Sequence, residues 1–402
     1  MITTLLLDLD DTLLDNDIER FIPVYFSRLE AHIADVAPPE EFTRALIRAT
    51  RFMMDNRQAD RTLKQAFEQR FFPSIKASEA DLRDAFDSFY LHAFPKLQSL
   101  TKPRPAAKAL VDGGFQRGLE VVVATNPVFP LTAISQRLAW AELPVEAHPF
   151  TLITSYETFR FCKPDPAYYA EILGRLGRRP QEAAMVGDDH HADIVPANLM
   201  GLATFHLDSQ TQDGLPGGKL KDVLPWLDEL AATLTEPPAP HDPPAIKARL
   251  RGNLAALLAL TEELEPAAWS RRPAPGEWSL TEILCHLRDV EIEVHQPRLQ
   301  EIIAKDRPFL PAADPDQWAA KRNYQSQSHT DALVAFVQAR KSTLSQLEDL
   351  ASEAWSREAR HALLGMLTLE EIIGVVADHD TLHLAQLRSN LQALDPASSE
   401  SA

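Results

Sequence analysis

Residues 4–12 read Thr-Leu-Leu-Leu-Asp-Leu-Asp-Asp-Thr. The apolar run at their start has the length and composition of a buried strand in a parallel sheet. It ends in Asp8 and Asp10, two carboxylates that would repel each other and lose solvation unless a cation lay between them. Because ligands of open α/β sheets bind at the carboxyl ends of the strands, the segment predicts a metal-dependent site.

The chemistry of this segment favours Mg²⁺. Carboxylate oxygens such as those of Asp8 and Asp10 suit a hard cation, which binds one or two carboxylates together with substrate phosphate oxygens. A carboxylate can also act as a nucleophile, as in enzymes that form an aspartyl-phosphate. The alternative, for this segment taken alone, is an acidic turn without a ligand.

Two later segments supply groups that suit a phosphate. A second apolar run, residues 121–124, ends in Thr125 and Asn126, whose hydroxyl and amide can bind a phosphoryl oxygen. Lys163 lies in Cys-Lys-Pro-Asp-Pro, immediately before a predicted helix with Asp165 as its N-cap. Its ammonium can neutralise phosphate charge.

A third apolar run, residues 183–186, again precedes carboxylates, in the order Gly-Asp-Asp-His-His-Ala-Asp at residues 187–193. These four segments, in this order, resemble the haloacid dehalogenase (HAD) superfamily over about residues 1–210. The resemblance implies an α/β Rossmann-like core within residues 1–232. It also implies that the helical pattern of residues 15–100 is a cap inserted after the first strand.

The resemblance implies a role for each matching residue. Asp8 corresponds to the nucleophile and Asp10 to the general acid/base. The other matching positions are Thr125 and Lys163 for the phosphate, Asp8, Asp10 and Asp188 for Mg²⁺, and Asp193 as the supporting acid of the last motif. Because dehalogenases of the superfamily lack an acid at the position of Asp10, the resemblance favours a phosphatase that acts on a small phosphorylated metabolite.

Composition limits the partners and the location of the protein. The 402-residue chain carries a formal net charge of −18, which argues against a nucleic-acid surface. It has no apolar run of bilayer length and no signal peptide. Its two cysteines, Cys162 and Cys285, are far apart and define no disulfide framework. We therefore expect a cytoplasmic protein without nucleic-acid or membrane partners.

A proline-rich segment marks the clearest domain boundary. Prolines occupy five of the nine positions from Glu236 to Pro244, a composition typical of a semi-rigid spacer. We expect a linker at residues 233–245, an all-α four-helix bundle at 246–395 and a disordered tail at 396–402. The four helices are predicted at about residues 245–264, 279–305, 330–351 and 368–394, and no convincing strand pattern accompanies them.

Three histidines of this second region form a candidate metal site. His379 and His383 are four residues apart, so they share one face of the fourth predicted helix. His286 has apolar neighbours on the second helix, which indicates that it faces the bundle interior. Together the three imidazoles can bind one metal ion, although such a histidine pair is often a surface or core feature instead.

The sequences around these histidines, Glu-Trp-Ser-Leu at 277–280 and Asp-His at 378–379 among them, resemble the DinB-like metal-binding four-helix bundles over about residues 246–394. The resemblance implies His286, His379 and His383 as ligands of a divalent transition metal such as Zn, Ni or Fe. It also implies two alternatives for the bundle. One is transferase chemistry with a low-molecular-weight thiol, and the other is a non-catalytic, metal-stabilised module for binding or homodimerisation.

Overall fold

The computed structural model describes residues 1–208, 215–233 and 241–394. The chain divides into two compact units, of which the first comprises residues 1–168 and 180–239 and the second residues 169–179 and 240–402. Most of the predicted linker and all of the predicted tail, 396–402, lie outside the described residues. The domain limits 1–232 and 246–395 therefore stay predictions.

The first unit contains a parallel sheet with strand order β5-β4-β1-β6-β7-β8 among the described residues. Its strands are β1 (Thr4–Leu7), β4 (Glu120–Val123), β5 (Leu152–Ile153), β6 (Ala183–Gly187), β7 (Ala203–Leu207) and β8 (Gly217–Gly218). The predicted first strand is central, and Leu5 pairs with Val121 on one side and Ala184 on the other. Strands covered on both faces read as continuous apolar runs, which explains the composition of residues 4–7.

Helices surround this sheet and form a cap. The helices between residues 1 and 233 are α1 (Ile18–Ile33), α2 (Pro39–Met54), α3 (Leu63–Phe71), α4 (Glu79–Ser88), α5 (Pro105–Gln116), α6 (Leu131–Trp140), α7 (Pro166–Leu176), α8 (Val195–Leu199) and α9 (Val223–Thr233). Of these, α7 begins in the first unit, and its residues from 169 onward belong to the second. Helices α1–α4 form the cap. A short antiparallel pair, β2 (Leu14–Asp15) with β3 (Lys102–Pro103), joins the two chain segments that lead into and out of it.

The second unit is mainly helical. Its elements are α10 (Pro243–Thr261), α11 (Pro266–Ser270), α12 (Leu280–Val290), α13 (Gln296–Ala304), α14 (Trp318–Lys321), α15 (His329–Glu348) and α16 (Leu369–Leu394), together with β9 (Phe309–Leu310), β10 (Glu358–His361) and β11 (Gly365–Thr368). The fold class, an α/β core followed by a helical bundle, is confirmed.

The prediction that this region has no strands is wrong. β10 and β11 form a hairpin, and β9 pairs with β10 in parallel. The turn of the hairpin uses Gly365, whose φ of 82° is accessible to glycine. These strands have two to four residues each, too few for a readable alternation, and β9 lies about fifty residues before its partner in the chain.

Two helices of the second unit begin with a capping box. Ser279 begins α12 by accepting a hydrogen bond from the Glu282 N–H, while the Glu282 carboxylate accepts one from the Ser279 N–H at 2.8 Å. Thr368 and Glu371 form the same reciprocal pair at the start of α16. Such a box satisfies two backbone donors that a helix start otherwise leaves unpaired.

A buried ion cluster joins three helical segments of the second unit. Arg340 of α15 is 1% exposed and pairs with Asp380 of α16 and with Glu291, at 2.9 Å, in the turn after α12. The Thr343 hydroxyl donates to the other oxygen of Glu291. Burial acts to raise the pKa of Glu291, but the Arg340 charge and the hydrogen bonds from His295 and Arg340 outweigh it and lower the pKa below its usual range.

We expect Arg340→Met to lower the free energy of unfolding by about 3–5 kcal/mol, because it leaves two carboxylates buried without a counter-charge. The measurement is urea unfolding of the full chain, with Gln338→Met on the exposed face of the same helix as the control. Because the pKa of Glu291 is lowered on folding, its stabilising contribution is complete above the unfolded value near 4.5 and is lost as the pH falls below it. Equal unfolding midpoints for the two variants would contradict this role of Arg340.

Candidate active site and candidate metal centre

A buried lysine joins two carboxylates at the carboxyl edge of the parallel sheet. Asp8 follows β1 directly and Asp193 lies a few residues after β6. Lys163 Nζ lies 2.8 Å from Asp8 Oδ1 and 2.5 Å from Asp193 Oδ1. All three residues are at most 8% exposed. The structure thus brings together three of the residues that the sequence predicts for the site.

Asp188, which follows β6, belongs to the same cluster. Carboxylate oxygens of Asp8, Asp188 and Asp193 all lie within 4.8 Å of one another. The Thr12 hydroxyl donates to Asp188 Oδ1 at 3.2 Å, which fixes the carboxylate. In contrast, Asp189 is exposed and accepts hydrogen bonds from two backbone N–H groups, so it acts as a local cap.

The electrostatics of this cluster fit a divalent cation. Burial raises the pKa of Asp8 to about 7, although the Lys163 charge acts in the opposite direction. Burial, followed by the charges of Asp8 and Asp11, raises the pKa of Asp188 to about 6. One lysine therefore does not balance the carboxylates, and a hard cation held by Asp8 and Asp188 would favour their ionised forms.

Gly187 permits the close approach of Asp193 to this edge. A Cβ atom at position 187 would lie 2.1 Å from Asp193 Oδ2, a distance that no pair of unbonded atoms tolerates. The glycine at the end of β6 therefore has a packing reason, because only a residue without a side chain leaves space for the Asp193 carboxylate.

Thr125 and Asn126 follow β4, the neighbour of β1. Thr125 is buried, and its carbonyl accepts hydrogen bonds from the Thr154 hydroxyl at 2.7 Å and the Tyr168 hydroxyl at 2.8 Å. The loop is also tied to β1, since the Ala124 N–H donates to the Leu7 carbonyl at 2.7 Å. Both predicted phosphate-binding residues therefore lie at the same sheet edge as Asp8.

The carboxylate of Asp10 is held apart from the other three. Arg137 of α6 contacts Asp10 Oδ2 at 2.5 Å, and Asn16 donates to Asp10 Oδ1 at 2.7 Å. Arg137 is 0% exposed and lies over the Phe129 ring, 4.6 Å from its centroid. Nothing in the local sequence around Arg137 or Asn16 indicates these contacts, because they depend on how α6 and the cap pack.

The loop that carries Asp10 is fixed from a second direction. Asp11 has a positive φ of 53°. Arg104, which follows β3, donates to the carbonyl oxygens of Asp11 and Thr12 and pairs with Asp208 at 2.7 Å. Arg104 is a further contact that the sequence did not predict, since its partners lie about a hundred residues away on either side.

The predicted histidines of the bundle converge on one point. His379 Nε2 is the central atom of the cluster. It lies 3.1 Å from Nε2 of His286, on α12, and 3.2 Å from Nε2 of His383. His379 and His383 are on α16, so the cluster joins two facing helices. Three ring nitrogens that face each other at these distances form a candidate metal centre.

The protonation of these rings fits a metal site. Burial, and then the charges of neighbouring histidines, lower the pKa of His286 to about 3 and that of His379 to about 2, so both rings are neutral near pH 7. His383 Nδ1 lies 3.0 Å from the Gln386 side-chain oxygen. If that nitrogen donates its proton there, its Nε2 keeps a free lone pair. Facing lone pairs repel unless a cation lies between them, and neutral imidazole is a common ligand of Zn, Ni, Fe and Cu.

Two residues beside the triad were not predicted as site residues. The Trp278 ring stacks on His383 with centroids 6.1 Å apart and lies 5.0 Å from the ring of His286. His295 lies edge-on to His379 at 5.6 Å and pairs with Glu291 at 3.2 Å. Glu291 also binds Arg340, so the buried ion cluster continues to the edge of the histidine site.

Comparison with known proteins identifies both regions. Residues 2–201 match the family model described as haloacid dehalogenase-like hydrolase, and residues 249–387 match that of the DinB superfamily. The first region is therefore similar to the HAD-like hydrolases and the second to the DinB superfamily. The resemblances inferred from the motifs are thus confirmed for the HAD region and for the DinB region. No helix within the described residues has both the length and the apolar character needed to cross a membrane.

Three of the curated relatives carry the names of phosphatases. Ribulose-1,5-bisphosphate 5-phosphatase of Halopiger xanaduensis is 33% identical over 127 residues, 32% of this chain and 48% of the relative. Phosphoserine phosphatase of Thermus thermophilus is 35% identical over 104 residues, 26% of this chain and 40% of the relative. The chain spans about half the length of these two relatives. The bundle protein YfiT of Bacillus subtilis is 16% identical at a TM-score of 0.35, covering 39% of this chain and 90% of YfiT.

Proposed function

We propose that the HAD region is a Mg²⁺-dependent phosphatase that hydrolyses a small phosphorylated metabolite through an aspartyl-phosphate on Asp8. One observation carries this proposal. A buried carboxylate, Asp8, lies 2.8 Å from a buried ammonium, Lys163, at the sheet edge, and a second carboxylate, Asp10, lies on the same loop. The names of the curated relatives support the same reaction class.

Asp8 would attack the phosphorus atom and take over the phosphoryl group. The bond from phosphorus to the alcohol oxygen breaks as the bond to an Asp8 oxygen forms. Lys163, placed between Asp8 and Asp193, would balance negative charge on the phosphoryl oxygens. Thr125 and Asn126, which follow the neighbouring strand, would donate hydrogen bonds to those oxygens.

Mg²⁺ would be held by Asp8, Asp188 and the backbone carbonyl of Asp10, where it would neutralise phosphate charge and orient the phosphoryl group. Asp193 would serve a different purpose. Its carboxylate pairs with Lys163 at 2.5 Å and is fully buried, so it would position the ammonium that faces the phosphate.

Asp10 would move the protons. It would give a proton to the departing alkoxide and then take one from the water that hydrolyses the aspartyl-phosphate. Arg137 and Asn16 each bind one of its two oxygens. They would therefore orient the carboxylate, and Arg137 would stabilise its charged form after the first proton transfer.

For the DinB region we propose a divalent transition metal held by His286, His379 and His383. Three ligands leave positions for water or substrate, and a thiol bound there would lose its proton more readily. Transferase chemistry with a low-molecular-weight thiol is therefore one function of this region. A metal-stabilised module for binding or homodimerisation is the alternative, and a thiol-transfer screen of the metal-loaded full chain separates the two.

Asp8→Asn should abolish turnover, because the amide keeps the shape of the side chain but cannot attack phosphorus. We expect a loss of several orders of magnitude in kcat. The measurement is release of inorganic phosphate in Mg²⁺, with Asp35→Asn at an exposed cap position as the control. Activity of Asp8→Asn within tenfold of the parent protein would remove Asp8 from the role of nucleophile.

Asp10→Asn should slow turnover by roughly 10² to 10⁴, the usual contribution of a general acid/base. Arg137→Met should act in the same direction to a smaller extent, and Arg137→Lys should restore part of the rate. Single-turnover phosphorylation of Asp8 measures both, with alkyl and nitrophenyl esters. Esters with good leaving groups should be affected least in this step. Equal losses for both kinds of ester would argue against an acid role for Asp10.

His383→Ala should release the metal of the DinB region while leaving phosphate release unchanged. Because the ligands must be unprotonated and the pKa values of His286 and His379 are lowered to about 3 and 2, metal occupancy of the parent chain should fall only as the pH drops below the usual histidine range. Elemental analysis of the purified full chain measures the metal, and His329→Ala in the same region serves as the control. Full occupancy in His383→Ala would contradict the proposed ligand set.

A further inference from the structure

The first unit contains a cavity that the proposed chemistry does not use. Its volume is about 450 Å³, within the roughly 300–1,000 Å³ of typical small-molecule sites. Residues of the cap helices α1–α4 line it together with residues of the loops that follow β4 and β5. We call it the cap cavity.

The cap cavity adjoins the phosphate-binding loop. Val128, one of its lining residues, lies two positions after Asn126, so their Cα atoms are at most about 7 Å apart. Tyr156 also lines the cavity, two positions after Thr154, whose hydroxyl donates a hydrogen bond to the Thr125 carbonyl at 2.7 Å. Its walls are thus continuous with the residues that would hold the phosphoryl group.

A second connection leads to the proposed acid/base residue. Tyr25 of α1 lines the cap cavity, and its ring contacts that of Phe129 with centroids 5.3 Å apart. Phe129 in turn lies 4.6 Å from the Arg137 guanidinium, which pairs with Asp10. The alcohol oxygen that Asp10 would protonate must lie between the phosphoryl group and the rest of the alcohol. The contacts from Tyr25 through Phe129 and Arg137 to Asp10 thus connect the cap cavity with the group that would protonate this oxygen.

The side chains that line the cap cavity favour an apolar alcohol over an anionic one. Aromatic and aliphatic side chains of the cap contribute much of the wall, among them Phe67, Phe72 and Phe86. The cation Arg83 is neutralised by Glu68 at 2.7 Å. The other acids of the lining, Asp87 and Glu157, outnumber the one further cation, Lys64. A strongly anionic group would therefore gain little here, whereas a ring would replace water along apolar walls.

We propose that the cap cavity holds the alcohol half of the substrate, and that this alcohol is uncharged and carries an apolar group about the size of an aromatic ring. The inference rests on the proposed phosphatase function and adds the substrate class. We therefore expect the phosphate esters of short hydroxy acids to be poor substrates, because their carboxylate would lie near the acidic residues that line the cavity, Asp87 and Glu157.

The test compares monoesters whose leaving groups have similar pKa values, so that size and charge alone differ. Ethyl phosphate, 2-phenylethyl phosphate and phosphoglycolate are hydrolysed by the full chain in Mg²⁺, and kcat/KM is measured for each. Burial of a phenyl group predicts a preference for the 2-phenylethyl ester over the ethyl ester of about 10- to 100-fold. Phosphoglycolate should be no better than ethyl phosphate.

A cavity-filling variant locates the preference. Thr50 of α2 lines the cap cavity, whereas Arg48 of the same helix is exposed. Thr50→Trp should remove most of the preference for the phenyl ester while ethyl phosphate is still hydrolysed, and Arg48→Trp should retain it. Circular dichroism checks that both variants fold. Should Thr50→Trp not fold, the ester series on the parent chain still decides.

The outcomes separate the two proposals. Turnover of ethyl and 2-phenylethyl phosphate with equal kcat/KM would overturn the substrate class and leave the phosphatase function intact. A preference that persists in folded Thr50→Trp would also overturn it, because the ring would then bind elsewhere. Absence of Mg²⁺-dependent turnover with every ester would overturn the phosphatase function itself, and the substrate class with it.

Discussion

The buried contact of Lys163 with Asp8 and Asp193 is the constraint on which the first unit depends. Three charged groups taken out of water cost several kcal/mol each unless they are paired closely. Pairing requires that segments from three distant parts of the chain meet at one sheet edge. The parallel arrangement of β1 beside β4 and β6 supplies that edge. Gly187 then leaves the space that the Asp193 carboxylate needs.

The DinB region also contains buried charges, but they are paired in a different structural setting. Its buried charges, Arg340 with Glu291 and Asp380, lie between helices rather than at a sheet edge. They fix α15 against α16, which carries His379 and His383, and against the turn that follows α12, the helix that carries His286. His295 connects Glu291 to the ring of His379. The same side chains that hold the helices together thus also border the candidate metal centre.

The two candidate sites differ in the cations they suit, and the difference follows from their donors. Oxygen atoms of carboxylates, with raised pKa values in the absence of a cation, suit a hard ion such as Mg²⁺. Neutral imidazole nitrogens suit a transition metal. In each site the neighbouring groups do the positioning: Thr12 and Arg137 around the carboxylates, Trp278 and Gln386 around the imidazoles.

The sequence by itself determined what is encoded within a few residues of each other. The four HAD segments, the pair His379 and His383, and the capping boxes at Ser279 and Thr368 are all local patterns, readable because strand length, helix period and cap geometry are properties of short segments. Only the tertiary structure decided which distant groups complete them. Arg137 contacts Asp10, which lies 127 positions earlier in the chain. β9 pairs with β10 although about fifty residues separate them. The cap cavity forms only when four helices and two loops pack together. Such contacts depend on how distant elements pack against one another, and the sequence of a short segment does not determine that packing.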